Sequence, residues 1–144
     1  MFTKYPQTEI KKAWPILKTA MLDNLPPTTN GMPVNLDFIF AKLMSDEMQL
    51  WIFPTDDMTA SKGFIVTTFS SELGFNFSYL LIYIVVATVH ITDAEWQECY
   101  DILRKFSKKY KCLKIIAFSA NPRVIEITNQ LGGDTSHHLI TLEV

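Results

Sequence analysis

The pattern of apolar and polar positions predicts a succession of short helices and strands. Near the N-terminus, apolar residues at helical spacing predict a first helix, which Thr8 caps and Pro15 kinks. A polar loop at Thr28–Gly31 leads to a second helix over Asn35–Ser45. The apolar face of the first helix comprises Ile10, Trp14, Leu17 and Met21.

Three consecutive strands are predicted next, because β-branched and aromatic residues are concentrated there. Met48–Phe53 and Gly63–Ser70 flank a turn at Thr55–Asp57, and a second turn at Glu72–Gly74 precedes the apolar run Leu80–Val89. This run has about half the length of a membrane-spanning helix, so we interpret it as a buried strand. The short turns indicate an antiparallel meander.

The junction Val86–Glu95 carries the long strand into the clearest helix of the chain, and it contains no glycine. Thr92 and Glu95 have the spacing of a capping box, which predicts that this helix begins there. Acidic side chains occupy the first half of the helix and basic ones the second, which complements the helix dipole. Its apolar face comprises Trp96, Cys99, Tyr100, Leu103, Phe106 and Tyr110.

The last third of the chain predicts a strand, a short helix and a final strand. Leu113–Phe118 has strand composition, Asn121 and Pro122 are suited to a helix cap and first helical position, and Gly132-Gly133 ends that helix. His137–Val144 is the predicted last strand. The element order is therefore α-α-β-β-β-α-β-α-β.

This order predicts an α+β (mixed α/β) fold. The central sheet is expected to be mainly antiparallel, with one parallel crossover where a helix joins the long strand to the next. A chain of 144 residues with 48% apolar residues can bury one sizeable core, so residues 1–144 are expected to form a single domain.

Composition and charge exclude several classes of function. The formal net charge is −2 and there is no long basic block, which argues against nucleic-acid binding. No secretory leader or membrane segment is recognised, so a cytoplasmic protein that does not contact a membrane is expected. Cys99 and Cys112 are interpreted as reduced thiols. Adjacent His137 and His138 would face opposite sides of a strand, so no metal site is expected.

The helix that Asn121 opens and Leu131-Gly132 closes, together with the element order, resembles the GNAT superfamily of N-acyltransferases. The resemblance implies that acetyl-CoA, if it binds, lies against Val89, His90, Ile91, Thr92 and Asn121. The segment Leu43–Ile52 also resembles small GNAT-like virion-associated proteins of tailed bacteriophages.

Two features that the resemblance implies are missing. GNAT enzymes hold the cofactor diphosphate on a glycine-rich loop, whereas this junction has none and places Asp93 and Glu95 where they would repel phosphate. Thr128 stands where the family commonly has a tyrosine that protonates the leaving thiolate, and a threonine hydroxyl is a poor general acid. Tyr79 and Tyr83 on the long strand could supply a phenol only if a ligand bound elsewhere, and they are interpreted as sheet-packing residues.

The missing features favour a non-catalytic GNAT-like structural or interaction protein, as a phage virion or assembly component in the virion or host cytoplasm. This hypothesis predicts no catalytic residue, no cofactor, and protein partners in a larger assembly or homo-oligomer. The interface is expected at the helix Gln7–Leu25 or at the strand edge near the C-terminus. The alternative is an N-acetyltransferase that uses acetyl-CoA with a degenerate cofactor loop.

Overall fold

The chain forms a five-stranded sheet with helices packed on both faces. The computed structural model describes residues 1–26, 34–71, 77–119, 121–138 and 140–142. The elements, in chain order, are β1 (Thr3–Lys4), α1 (Gln7–Leu22), α2 (Leu36–Met44), β2 (Met48–Pro54), β3 (Ser61–Ser71), β4 (Ser78–Ala87), α3 (Asp93–Lys109), β5 (Cys112–Ala117) and α4 (Pro122–Gln130).

The strands lie in the sheet in their sequence order, β1-β2-β3-β4-β5. Neighbouring strands are antiparallel from β1 to β4, and β4 and β5 are parallel. The parallel pair requires a crossover, which α3 supplies. The predicted fold class, mixed α/β with a mainly antiparallel sheet and one parallel crossover, is confirmed.

Two apolar clusters form on opposite faces of the sheet, because successive side chains of a strand alternate between faces. One cluster packs α1 and α2 against the sheet, and Leu50 and Ile84 are among its buried strand residues. The other packs α3 against the opposite face and contains Trp51, Leu80 and Ile91. Both faces of β4 are therefore covered.

Of the four described helices, α2, α3 and α4 begin where the sequence predicts, and α4 begins at Pro122 with Asn121 as its cap. Asn35 caps α2 by accepting a hydrogen bond from the Phe38 amide, and Thr92 and Glu95 form the predicted capping box of α3. The prediction for α1 is wrong, because the helix begins at Gln7 without a side-chain cap. Pro15 does not divide α1, which continues through it.

Both ends of the chain differ from the prediction. The two-residue strand β1 was not predicted, since its existence depends on pairing with β2. The predicted last strand His137–Val144 is not a strand in its described residues, and Ile140 and Leu142 are 82% and 88% exposed. Leu139, Glu143 and Val144 lie outside the described residues.

The predicted loop Thr28–Gly31 and the predicted turn Glu72–Gly74 also fall outside the described ranges. Among the helices that the structure describes, none has both the length and the apolar character needed to span a bilayer.

Candidate functional site: a cleft where two parallel strands part

The two parallel strands of the sheet part where β4 extends beyond the end of β5. The parallel pairing ends at Ile82 and Ala117, whereas β4 continues to Ala87. Beyond Ile82, the β5-facing edge of β4 has no strand partner in the described part of the chain. An unpaired strand edge presents free N–H and C=O groups, so it can bind an extended chain that carries amides.

A β-bulge marks the beginning of this free edge. Val66 pairs with Ile84 and Thr67 pairs with Ile82, which leaves Tyr83 as the extra residue on β4. Tyr83 and Ile84 both pack against the α1–α2 cluster, as two consecutive residues at a bulge can. The packing role expected for Tyr83 is observed, and the bulge also places this phenol at the level where the strands part.

The loop between β4 and α3 is held in place by the backbone of Lys62. The Lys62 carbonyl accepts hydrogen bonds from the Thr88 amide and hydroxyl, both at 2.9 Å, and from the Val89 amide at 3.4 Å. His90 is exposed, whereas Ile91 is buried in the α3 cluster. Of the candidate residues in this loop, Ile91 could therefore contribute its backbone but not its side chain to a ligand.

The first turn of α3 combines the capping box with a second ion pair. The Glu95 carboxylate accepts hydrogen bonds from the Thr92 amide at 2.8 Å and from Lys62 Nζ at 2.6 Å. Lys62 and the Thr92 amide lower the pKa of Glu95, and the same carboxylate raises the pKa of Lys62. Lys62 is largely covered, since its side chain is 17% exposed.

The first turn of α4 reaches across to α3. Asn121 caps α4 by accepting a hydrogen bond from the Arg123 amide at 2.9 Å. The Arg123 guanidinium donates to Asp93 Oδ1 at 2.8 Å and to Glu126 Oε2 at 3.2 Å, and these two carboxylates raise the pKa of the guanidinium. Thr92 and Asn121, which are candidate residues far apart in sequence, thus cap two helices that a side-chain bridge connects.

These contacts change the expected electrostatics of the cleft. Asp93 and Glu95 were expected to repel a diphosphate, but each forms an ion pair, Asp93 with Arg123 and Glu95 with Lys62, and Arg123 is shared with Glu126. The capping box uses the Glu95 amide, while the amides of Asp93 and Ala94 have no partner among the described residues. Two free amides and a guanidinium are donors suited to phosphate, so the residues present fit the cofactor diphosphate without a glycine-rich loop.

Thr128 does not replace the missing phenol. Its hydroxyl donates to the Val124 carbonyl at 2.7 Å, within the same helix. Thr128 is therefore a poor general acid for two reasons: its hydroxyl is weakly acidic, and its proton is already donated within the helix.

The other candidate chemistry has structural explanations. Asp57 accepts hydrogen bonds from Thr55 and Thr59, which lower its pKa to about 2, as expected for a turn carboxylate. Burial raises the pKa of the Cys99 and Cys112 thiols, so neither is an activated nucleophile. In the described ranges, no group of three or more metal-ligating side chains could hold a metal ion.

No protein-family model matches the sequence. No curated protein matches it either. Solved structures do match in shape. One titled a probable acetyltransferase has a TM-score of 0.69 at 12% identity, over 100% of this chain and 97% of its own. The aminoglycoside N-acetyltransferase AAC(6')-Iy in complex with CoA has a TM-score of 0.67 at 11% identity, over 100% and 98%. Glucosamine-6-phosphate N-acetyltransferase from Arabidopsis thaliana has a TM-score of 0.65 at 12% identity, over 99% of this chain and 97% of its own.

The chain therefore has a GNAT-like acetyltransferase fold. The expectation of a non-catalytic phage structural protein is contradicted, because these neighbours are named as acetyltransferases and favour the enzyme alternative. The comparisons lend no support to the narrower phage resemblance. Arg123 and Lys62 are distant in sequence from Asp93 and Glu95, and no local pattern in the sequence indicates that they contact these carboxylates.

Proposed function

We propose that this chain is an acetyl-CoA-dependent N-acetyltransferase that acts on an amine. The observation that carries the proposal is the cleft where β4 and β5 part, with two helix N-termini at its mouth. The likeness to an N-acetyltransferase solved with CoA supports it. When bound, the cofactor would supply a thioester acetyl group that an amine can accept.

Three groups of residues would hold the cofactor. The free edge of β4 beyond Ile82 offers backbone groups to an extended amide-containing arm. The amides of Asp93 and Ala94 and the Arg123 guanidinium offer donors to a diphosphate. The exposed loop residues Val89 and His90 line the approach.

Tyr83 is the candidate for proton transfer in this chain. It lies at the bulge where the free edge begins, and its hydroxyl has no hydrogen-bond partner in the part of the chain that the structure describes. A phenol can donate a proton to a thiolate far more readily than the Thr128 hydroxyl can. We therefore propose that Tyr83, at the cleft where β4 and β5 part, acts in place of the tyrosine that α4 lacks.

The first test is calorimetric titration of the purified protein with acetyl-CoA. We expect saturable binding in the micromolar range, and no heat at millimolar cofactor would overturn the proposal. The matched control is Thr19→Ala on α1, an exposed position that should bind as the wild type does.

The second test measures release of free CoA during incubation with a panel of primary amines. Tyr83→Phe keeps the ring that packs against the α1–α2 cluster and removes the hydroxyl. We expect about 10²-fold or greater loss of turnover with unchanged acetyl-CoA affinity, the typical contribution of a general acid. Unchanged turnover in this variant would remove Tyr83 from the proposal.

A further inference from the structure

The ion pair between Asp93 and Arg123 joins the first residue of α3 to the first turn of α4. We propose that Arg123 is a phosphate-binding residue that exchanges the Asp93 carboxylate for the diphosphate of the cofactor. This inference rests on the proposed function. It assigns to one side chain the charge neutralisation that a glycine-rich loop would leave to backbone amides.

The geometry of Arg123 suits such an exchange. Its two terminal nitrogens contact two different carboxylates, Asp93 at 2.8 Å and Glu126 at 3.2 Å. Side-chain exposures of 36%, 66% and 58% for Arg123, Asp93 and Glu126 mean that water screens both pairs. Because the Asp93 side chain is exposed, water can solvate its carboxylate once Arg123 moves to a phosphate oxygen, and phosphate accepts the guanidinium fork in a bidentate manner.

The other cation near this turn is committed elsewhere. Lys62 contacts Glu95 at 2.6 Å, and its backbone carbonyl holds the loop through Thr88. Releasing Lys62 would leave a partly covered carboxylate without its cation beside the capping box. Arg123 can leave Asp93 and keep Glu126, which makes it the cation suited to exchange.

The exchange predicts opposite effects of two substitutions on acetyl-CoA affinity. Arg123→Gln removes the phosphate ligand, so we expect the Kd to rise about tenfold or more. Asp93→Asn removes the competitor, so the Kd should fall several-fold. Arg104→Gln, the same change at an exposed position late in α3, is the matched control and should leave the Kd unchanged.

The double variant Asp93→Asn/Arg123→Gln separates exchange from simple repulsion. If Asp93 acts by holding Arg123, the gain from Asp93→Asn disappears when Arg123 is absent. A gain that persists in the double variant would mean that Asp93 repels phosphate directly, and this would overturn the exchange. Arg123→Lys keeps the positive charge but not the bidentate guanidinium, so it should recover part of the affinity for acetyl-CoA. This variant tests the proposal even if Arg123→Gln folds poorly.

The same titrations with acetyl-dephospho-CoA, which lacks the 3′-phosphate, identify the phosphate involved. We expect the Arg123→Gln loss to be unchanged with this ligand, and its disappearance would overturn the assignment to the diphosphate. The two proposals fail differently. Tight wild-type binding with no effect of Arg123→Gln defeats the exchange alone, whereas no binding by the wild type or by Asp93→Asn defeats both.

Discussion

The two halves of β4 share their packing and differ at one edge. Ser78–Ile82 pairs with β3 on one side and β5 on the other. After the bulge at Tyr83, the strand from Ile84 to Ala87 pairs with β3 alone in the described part of the chain. Leu80 in the first half and Ile84 in the second are both almost completely buried. Burial of the faces therefore stabilises the whole strand, and among the described residues only its second half has an unpaired edge, which is where we propose that the cofactor binds.

The comparison explains why a stable core and an open cleft coexist in one strand. Face packing comes from side chains and pairing comes from the backbone, so losing an edge partner does not require losing burial. The bulge at Tyr83 and the end of β5 at Ala117 coincide with this change. Substitutions can therefore disturb the burial of the strand faces and the geometry of the unpaired edge separately.

The largest effects should come from the buried side chains of both halves. Leu80→Ala and Ile84→Ala should each lower the free energy of unfolding by about 2–5 kcal/mol, the range for buried aliphatic truncations. Val89→Ala, at an exposed loop position, should stay within about 0.5 kcal/mol. Urea denaturation measures all three. A small effect for Ile84→Ala would break the comparison, because the second half would then not belong to the core.

An intermediate effect should follow Gly63→Ala, which acts on the second half alone. Gly63 faces Ala87, and an added Cβ would collide with the Val86 carbonyl oxygen. The strand end would have to move, so we expect a loss of about 1–3 kcal/mol in stability together with weaker acetyl-CoA binding. Ser71→Ala, near the paired half, is the control. If Gly63→Ala has the stability and acetyl-CoA affinity of the wild type, the close contact between Gly63 and the Val86 backbone does not position the cleft.

A smaller effect is expected at the start of α3. Thr92→Ala removes the hydroxyl that accepts from the Glu95 amide, and loss of such a cap costs about 1 kcal/mol. Thr19→Ala removes a hydroxyl that donates to the Pro15 carbonyl within α1, so its effect should be close to zero. Thermal unfolding compares the pair. Equal effects would mean that the capping box does not anchor the mouth of the cleft.

The smallest effect concerns the Lys62–Glu95 pair and depends on pH. Because Lys62 and Thr92 lower the pKa of Glu95 below its ordinary value of 4.5, the stability that the charged form contributes is complete above that value. It is lost as the pH falls through the lowered pKa of the folded state. Glu95→Gln should therefore be less stable than the wild type at pH 7, by below about 1 kcal/mol.

Urea denaturation at pH 7 and below pH 4 tests this pair. The difference in unfolding free energy between Glu95→Gln and the wild type should narrow in acid. A difference that is the same at both pH values would show that the contribution of Glu95 does not depend on its charge.

Most of the fold could be predicted because its signals are local. Helical spacing, turn residues and the capping residues Asn35, Thr92 and Asn121 each lie within a few positions of the element that they define. The prediction of a final strand was wrong. His137–Val144 has an alternating pattern typical of a strand, but its described residues do not pair with another strand. A strand exists only with a partner, which a single segment of sequence does not reveal.

The site was predicted less well because its key contacts are long-range. The lack of glycine in the junction and the charges of Asp93 and Glu95 are visible in the sequence, and they favoured the interpretation that the chain does not bind the cofactor. Arg123 is 30 residues from Asp93 and Lys62 is 33 residues from Glu95, so their neutralising effect required the folded structure. The protein interface expected at the first helix or near the C-terminus stays a prediction.

The most direct test of the acetyltransferase cleft is amide chemical-shift mapping of the isotope-labelled protein during titration with acetyl-CoA. We predict shifts concentrated at the free half of β4, at the first turn of α3 and at Asn121 to Arg123, with β1 and β2 unchanged. Absence of saturable shifts, or shifts confined to residues outside the cleft, would contradict the proposal that this fork binds the cofactor.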